Sequence, residues 1–356
     1  MLFQPAILAL LLASAANVVV ICAIAPFAIS ILCHWDTSSG SERQLLLERR
    51  TYLVSTLLTC VLATQLLALL LFVFNADRMA PLFVAAMCAV GTLNVNEFGF
   101  PALFAQMTVF FLAALWLAIH HVDIQAPDYP LVRIKYLLLL GIAPALVAAF
   151  VLQLRYFLAL KADVLTSCCS RLFSGSAKGV SADLTALPPQ PAMIGFYIAM
   201  LTALAAAVYT AVRKRGGFAL AIASLAAFFA ALAAIVSFLS LYVYEHPHHH
   251  CPFCLLKAEY GYQGYLLYLP LFTATACGLA AGAVEAFAQV ASLRKVAPLV
   301  SSRLARVAAA GFALFLVIST VIILRSHLIL IENNGMPFSF LGNPPVNLIT
   351  LQGVKP

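Results

Sequence analysis

The sequence predicts an all-α fold, a polytopic transmembrane helix bundle of about eight spans. Three observations carry that expectation: the composition, the recurrence of long apolar stretches, and the placement of Lys and Arg between them. Of 356 residues, 64% are hydrophobic and 9% charged, where soluble proteins carry about 25% charged residues. A lipid bilayer of about 30 Å is crossed by about 20 apolar residues in a helix, which satisfies its own backbone hydrogen bonds. Stretches of that kind lie near 4–33, 52–75, 101–121, 136–160, 192–212, 217–243, 264–291 and 307–329. They leave no room for a separate soluble domain, so residues 1–329 read as one transmembrane domain and 330–356 as an extracytoplasmic tail.

The first stretch contains Ala13-Ser14-Ala15, which looks like signal-cleavage chemistry. No Lys or Arg precedes it and the apolar run continues past it, so it reads as a retained membrane helix. Lys and Arg set the orientation. Segments 34–51, 122–135, 213–217 and 292–306 hold 12 of them in 52 residues, whereas 76–100, 161–191, 244–263 and 325–356 hold 7 in 108. By the positive-inside rule the dense set is cytoplasmic, which places both termini outside the cell inner membrane. The excess of 20 basic over 13 acidic residues therefore marks topology, and no nucleic-acid partner is expected.

The segment near 79–100 is half apolar, yet it carries Asn94, Asn96, Glu97 and two glycines. It is too short and too polar to span, and reads as a re-entrant or interfacial element. The loop 161–191 contains Pro188-Pro189-Gln190-Pro191 and reads as an irregular external connection. No internal repeat and no Gly-rich phosphate loop is visible.

Of nine cysteines, Cys22, Cys33, Cys60 and Cys277 fall inside apolar runs and read as small core hydrophobes. Cys168-Cys169 and Cys251-Pro252-Phe253-Cys254 fall in two loops that the charge pattern puts on the outer side, together with Cys88. A Cys-x-x-Cys at a helix start would have its thiolate stabilised by the unpaired N–H groups and positive dipole end. Lys257, three residues on, would add a cation. Together they would let the pair exchange disulfides near neutral pH, with Cys168-Cys169 as a relay partner that approaches it in the fold. The alternative is a structural disulfide between the two loops.

The run Cys251-Pro252-Phe253-Cys254-Leu255-Leu256-Lys257 resembles the quinone-linked disulfide-forming membrane oxidoreductases, DsbB and the bacterial vitamin K epoxide reductases. In those families a membrane-edge Cys-x-x-Cys passes electrons to a bound quinone and a second loop pair takes them from a soluble partner. The resemblance implies that Cys251 and Cys254 are the quinone-proximal pair and Cys168 and Cys169 the loop pair, facing a periplasmic thiol protein.

The motif follows His246-Pro247-His248-His249-His250, which thiol exchange does not require. His246, His248, His249 and His250 beside Cys251 and Cys254 make a candidate metal site, since zinc takes Cys and His and soft thiolates select Cu(I). Cys88, Met79 and Met87 lie on the same side and are candidates to join it; the partner would then be a metallochaperone. Tyr260, Tyr262, Tyr265 and Tyr268 suit an interfacial belt first of all, and the first three are the candidates for the alternative, a quinone-edge pocket. His34, His120, His121 and His327 lie near helix ends without a matched pair at one depth, which argues against haem. Arg155 and Glu285 sit where they can snorkel. Three functions follow: a membrane thiol-disulfide oxidoreductase feeding a quinone, a copper- or zinc-handling membrane protein using 246–254, or a structural subunit of a larger complex. Few ionisable residues sit mid-membrane, which weighs against an ion or solute transporter.

Overall fold

The computed structural model describes residues 4–36, 41–84, 86–161, 189–246 and 249–328. Among these residues there is no strand, and eight helices are long and apolar enough to cross a membrane. They are α1 (Pro5–His34), α2 (Glu42–Arg78), α3 (Gly99–Asp123), α4 (Val132–Leu158), α5 (Pro189–Arg213), α6 (Gly217–Tyr244), α7 (Gln263–Glu285) and α8 (Val296–Arg325). The chain is a multi-pass, all-α membrane protein, as its hydropathy predicts. The tail 330–356 and the pair Cys168-Cys169 lie outside the described residues.

Each expected span is present, but two begin about ten residues early. α2 starts at Glu42, because Ser41 caps it by accepting the Gln44 N–H through Oγ at 3.3 Å. The Arg43, Arg49 and Arg50 side chains then ride on its first turns, since long straight side chains cost a helix little. α8 starts at Val296, so Arg303 and Arg306 are helical as well. In the other direction α7 stops at Glu285, ahead of the expected 291.

The helices form two four-membered rings. α1 packs on α2 and α4, and α3 packs on the same two; α5 packs on α6 and α8, and α7 closes that ring. α3 and α7 join the rings through phenyl groups. Phe111 of α3 stacks on Phe272 of α7 at 5.6 Å, and Phe228 of α6 meets both edge-on at 5.2 and 5.1 Å.

Inside the first ring, one amide from each helix enters a transverse girdle. Asn17 Nδ2 donates to Gln65 Oε1 (3.2 Å), Gln65 Nε2 to Gln106 Oε1 (2.8 Å), and Gln106 Nε2 to Gln153 Oε1. Gln153 Nε2 returns to Ser14 of α1 (3.5 Å), and Thr64 Oγ1 donates to Asn17 Oδ1 (3.2 Å). In a bilayer such bonds fasten helices where lipid offers no alternative partner. The second ring has no comparable amide chain among the described residues. Its helices approach closely instead: a Cβ at Gly278 would lie 2.8 Å from Ser224 Cβ, and one at Gly282 would lie 2.7 Å from Ala221 Cβ. Hydroxyls there bond to neighbouring backbones, Ser302 Oγ to Ala211 O (2.7 Å) and Ser301 Oγ to Ala281 O (3.0 Å).

The end of the molecule that carries most of the basic residues corrects two expectations. Lys135, read as a loop charge, is buried in α4, where its Nζ lies 2.7 Å from Asp123 Oδ2 and 3.5 Å from His120 Nδ1. Asp123 Oδ1 also accepts the Leu131 N–H (2.8 Å) and so pins the α3–α4 loop. Glu285 does not snorkel: its carboxylate accepts the Gly216 N–H (2.8 Å) and the Gly217 N–H, capping the start of α6. Gly216 has φ 95°, a left-handed conformation that glycine adopts without penalty.

Candidate functional site

At the opposite end two distant stretches of chain meet. The segment after α2 brings Cys88, and the α6–α7 connection brings Cys251 and Cys254. The three sulfurs all lie within 4.8 Å of one another, and Cys88 Sγ is 3.5 Å from Cys251 Sγ. A disulfide is about 2.05 Å long, so these two thiols touch without a covalent bond, and none of the three is in a disulfide. All three are buried, among Val90, Val236, Phe100 and Phe253.

The expected re-entrant or interfacial element explains the position of Cys88. Residues 79–84 and 86–98 fold over the end of the first ring, and the short helix Ala89–Leu93 is buried throughout. Cys88 precedes that helix in an extended conformation. Thr92 Oγ1 donates to Ala76 O of α2 (2.7 Å), and Asn96 Nδ2 donates to Tyr156 O of α4 (3.1 Å). The polar residues that keep this segment from spanning are therefore its anchors. Gly91 lets the chain fold back closely, since a Cβ there would come 2.8 Å from Ala86 Cα.

The Cys-Pro-Phe-Cys turn is held by two phenols. Tyr244 Oη donates to Cys251 O (2.6 Å), and Tyr268 Oη donates to Pro252 O (2.8 Å). The motif does not begin an α-helix: Cys254–Leu256 is a single 3-10 turn, and α7 starts at Gln263. A turn of three residues sums too few peptide dipoles to supply the expected helix-end field. Lys257 also has its own partner, the Asp77 carboxylate at 3.3 Å, which balances its charge beside the sulfurs.

Among the described residues, His246, His249 and His250 do not join the three sulfurs as a ligand group. His250 Nδ1 lies 2.9 Å from Val236 O; a carbonyl only accepts, so Nδ1 carries the proton. Val236 belongs to a π-turn, Ile235–Leu239, that interrupts α6, and such turns recur at functional sites. His249 stacks on Tyr244 with ring centroids 4.2 Å apart, and Tyr260 meets Tyr244 edge-on at 4.4 Å. His248 lies outside the described residues, and His246 sits at the start of the turn that brings the His249 N–H to its carbonyl (3.3 Å).

Of the tyrosines expected at a quinone pocket, Tyr260 borders the thiols, and burial first, then the neighbouring Cys254 sulfur, pushes its hydroxyl pKa up. Tyr262 is exposed at a left-handed position. Tyr265 lines an open apolar groove of about 540 Å³ with Leu10, Thr64, Leu67, Leu71 and Phe74. Met79 is buried in the cap of the first ring and Met87 is exposed. Cys22, Cys33 and Cys60, expected as core hydrophobes, lie on the outer helix surfaces, and Cys277 is half-buried.

Fold and site together define a class: a multi-pass helical membrane protein of two four-helix rings with a buried three-cysteine centre at one end. Compared with protein-family models, curated proteins and solved structures, the chain matches none. Three soft donors so arranged can bind a thiophilic metal or exchange a disulfide among themselves.

Proposed function

We propose that the protein handles a thiophilic metal ion at the membrane surface, holding it on Cys88, Cys251 and Cys254. The convergence of three buried sulfurs from separate stretches of chain carries this reading. Buried thiols are poor targets for a soluble thiol partner, and the features expected to activate Cys251-Cys254 for exchange are offset by Asp77 and by the short 3-10 turn. A metal ion replaces those features, because it stabilises thiolates itself. The density of Lys and Arg at the opposite end supports an extracytoplasmic centre in the inner membrane, open to a metallochaperone. On that orientation a Lys214→Cys variant resists a membrane-impermeant maleimide in intact cells; rapid labelling reverses the orientation.

The test of the function is metal analysis with thiol titration on protein purified anaerobically and exposed to Cu(I) or Zn(II). Stoichiometric metal that disappears in Cys251→Ser with Cys254→Ser supports the reading. Protein that takes up neither metal while its thiols titrate as reduced overturns it.

The 3.5 Å contact between Cys88 and Cys251 and the resemblance of the Cys251–Lys257 run favour a second reading, thiol-disulfide exchange. There a Cys88 thiolate attacks Cys251 Sγ of a Cys251–Cys254 disulfide, the new S–S bond forms, and Cys254 leaves as a thiolate. That step only moves the disulfide; for net transfer a dithiol of a soluble partner would reduce the disulfide and be oxidised to a disulfide itself, and a quinone would take the electron pair and two protons when the protein's own dithiol is reoxidised. Mapping of disulfides by mass spectrometry separates the readings: exchange requires a trapped Cys88–Cys251 bond in Cys254→Ser, and a fully reduced variant under oxidising conditions rules it out.

A further inference from the structure

We infer that the centre is a three-sulfur site selective for Cu(I) over Zn(II), an inference that rests on the metal reading above and names its ion. Zn(II) in structural sites is almost always bound by four ligands in a tetrahedron, and where it keeps three protein ligands the fourth position is open to water. The described residues bring three donors together, all of them sulfur. Among the described residues no imidazole nitrogen lies in that group, neither that of the exposed His246 nor those of His249 and His250. His250 is turned onto the carbonyl of Val236, and His249 lies flat on Tyr244. Around the sulfurs lie Val90, Val236, Phe100 and Phe253 together with Tyr244 and Tyr260, and the Tyr244 hydroxyl already donates to Cys251 O. Among the described residues no fourth His, Cys, Asp or Glu ligand atom joins the three sulfurs.

Cu(I) has the opposite requirements. It is soft and monovalent, prefers thiolate to imidazole or water, and is satisfied by three sulfurs in a plane. An ion about 2.3 Å from each sulfur, the usual metal–thiolate distance, holds three coplanar sulfurs about 4 Å apart. The observed contact of 3.5 Å and the outer limit of 4.8 Å bracket that value, so the ion enters with small side-chain adjustment. Tyr244 and Tyr268 hold the backbone of the turn through its carbonyls, which fixes the turn that carries Cys251 and Cys254. The role of His250 is then positioning: bonded to the π-turn, it fixes the residue next to Cys251.

The experiment is an anaerobic competition on the purified full-length protein between Cu(I) and Zn(II), each supplied through a chelator of known affinity. X-ray absorption at the copper edge reads the ligands. The expected result is equimolar Cu(I), retained against excess Zn(II), with sulfur scatterers alone near 2.2–2.3 Å. His248→Ala and His249→Ala keep that spectrum and stoichiometry, whereas Cys88→Ser loses stoichiometric Cu(I). His250→Ala keeps the all-sulfur shell but releases Cu(I) faster. Preferential Zn(II) binding, or a nitrogen scatterer that vanishes in any of the three histidine variants, overturns the three-sulfur assignment and leaves a metal centre standing. Uptake of neither ion overturns the assignment and the metal reading together.

Discussion

The two rings share a topology, four helices closed in chain order, yet they are held by opposite means. The first ring places a buried amide from every helix into one girdle, Asn17, Gln65, Gln106 and Gln153, joined by the buried Ser14 and by the exposed Thr64. It adds a buried ion pair, Lys135 with Asp123. The second ring relies on glycine, alanine and serine for close approach and lets hydroxyls reach neighbouring backbones. Both answer the same difficulty, that lipid is as apolar as leucine and gives helices no hydrophobic reason to associate. Specific polar bonds fix rotation and depth in one half, and steric fit does so in the other. The thiol centre belongs to neither interior; it forms where the cap of the first ring touches a loop of the second.

The largest effect that separates the halves comes from the ion pair. Asp123→Ala leaves a buried ammonium and releases the Leu131 N–H, and is expected to cost about 3–5 kcal/mol, read by denaturant titration in micelles. A double change, Asp123→Leu with Lys135→Met, recovers most of that loss, because the desolvation of both charges is then avoided. If the single variant unfolds like the wild type, the pair contributes no stability and the contrast between the rings weakens.

A smaller, paired effect tests steric fit against polar girdle. Gly278→Val drives two methyl groups into Ser224 and is expected to destabilise by about 1–3 kcal/mol. Gln106→Ala removes the middle of the girdle and is expected to cost about 1 kcal/mol, in the range of single interhelical bonds within membranes. The two losses should add, since the sites lie in different rings without shared partners. Strong coupling in a double variant would mean that the rings fold as one unit. Neither change should alter metal stoichiometry, which ties the function to the joint between the rings.

The eight spans were legible in the sequence because hydropathy is a local property and a crossing helix must be apolar over its own length. The re-entrant or interfacial segment was legible for the same reason, as an apolar stretch too short and too polar to span. The girdle left a readable trace, an Asn or Gln within each of four apolar runs, but only packing shows that they face one another. Lys135 and Glu285 were misplaced because a count of charges between helices takes every charge near an end as solvated. Their partners, Asp123 and the Gly216–Gly217 amides, lie across a loop or 68 residues away.

The sequence by itself determined that this is a membrane protein of eight helices and singled out Cys251, Cys254 and Cys88 among the residues able to carry chemistry. Tertiary structure alone decided that these three converge while His250 turns to Val236 and His249 to Tyr244, and that Lys257 answers to Asp77. The reason is physical. Insertion into lipid depends on each stretch of chain separately, whereas a binding centre depends on the distance between atoms 163 residues apart, and only the packing of the two rings sets that distance.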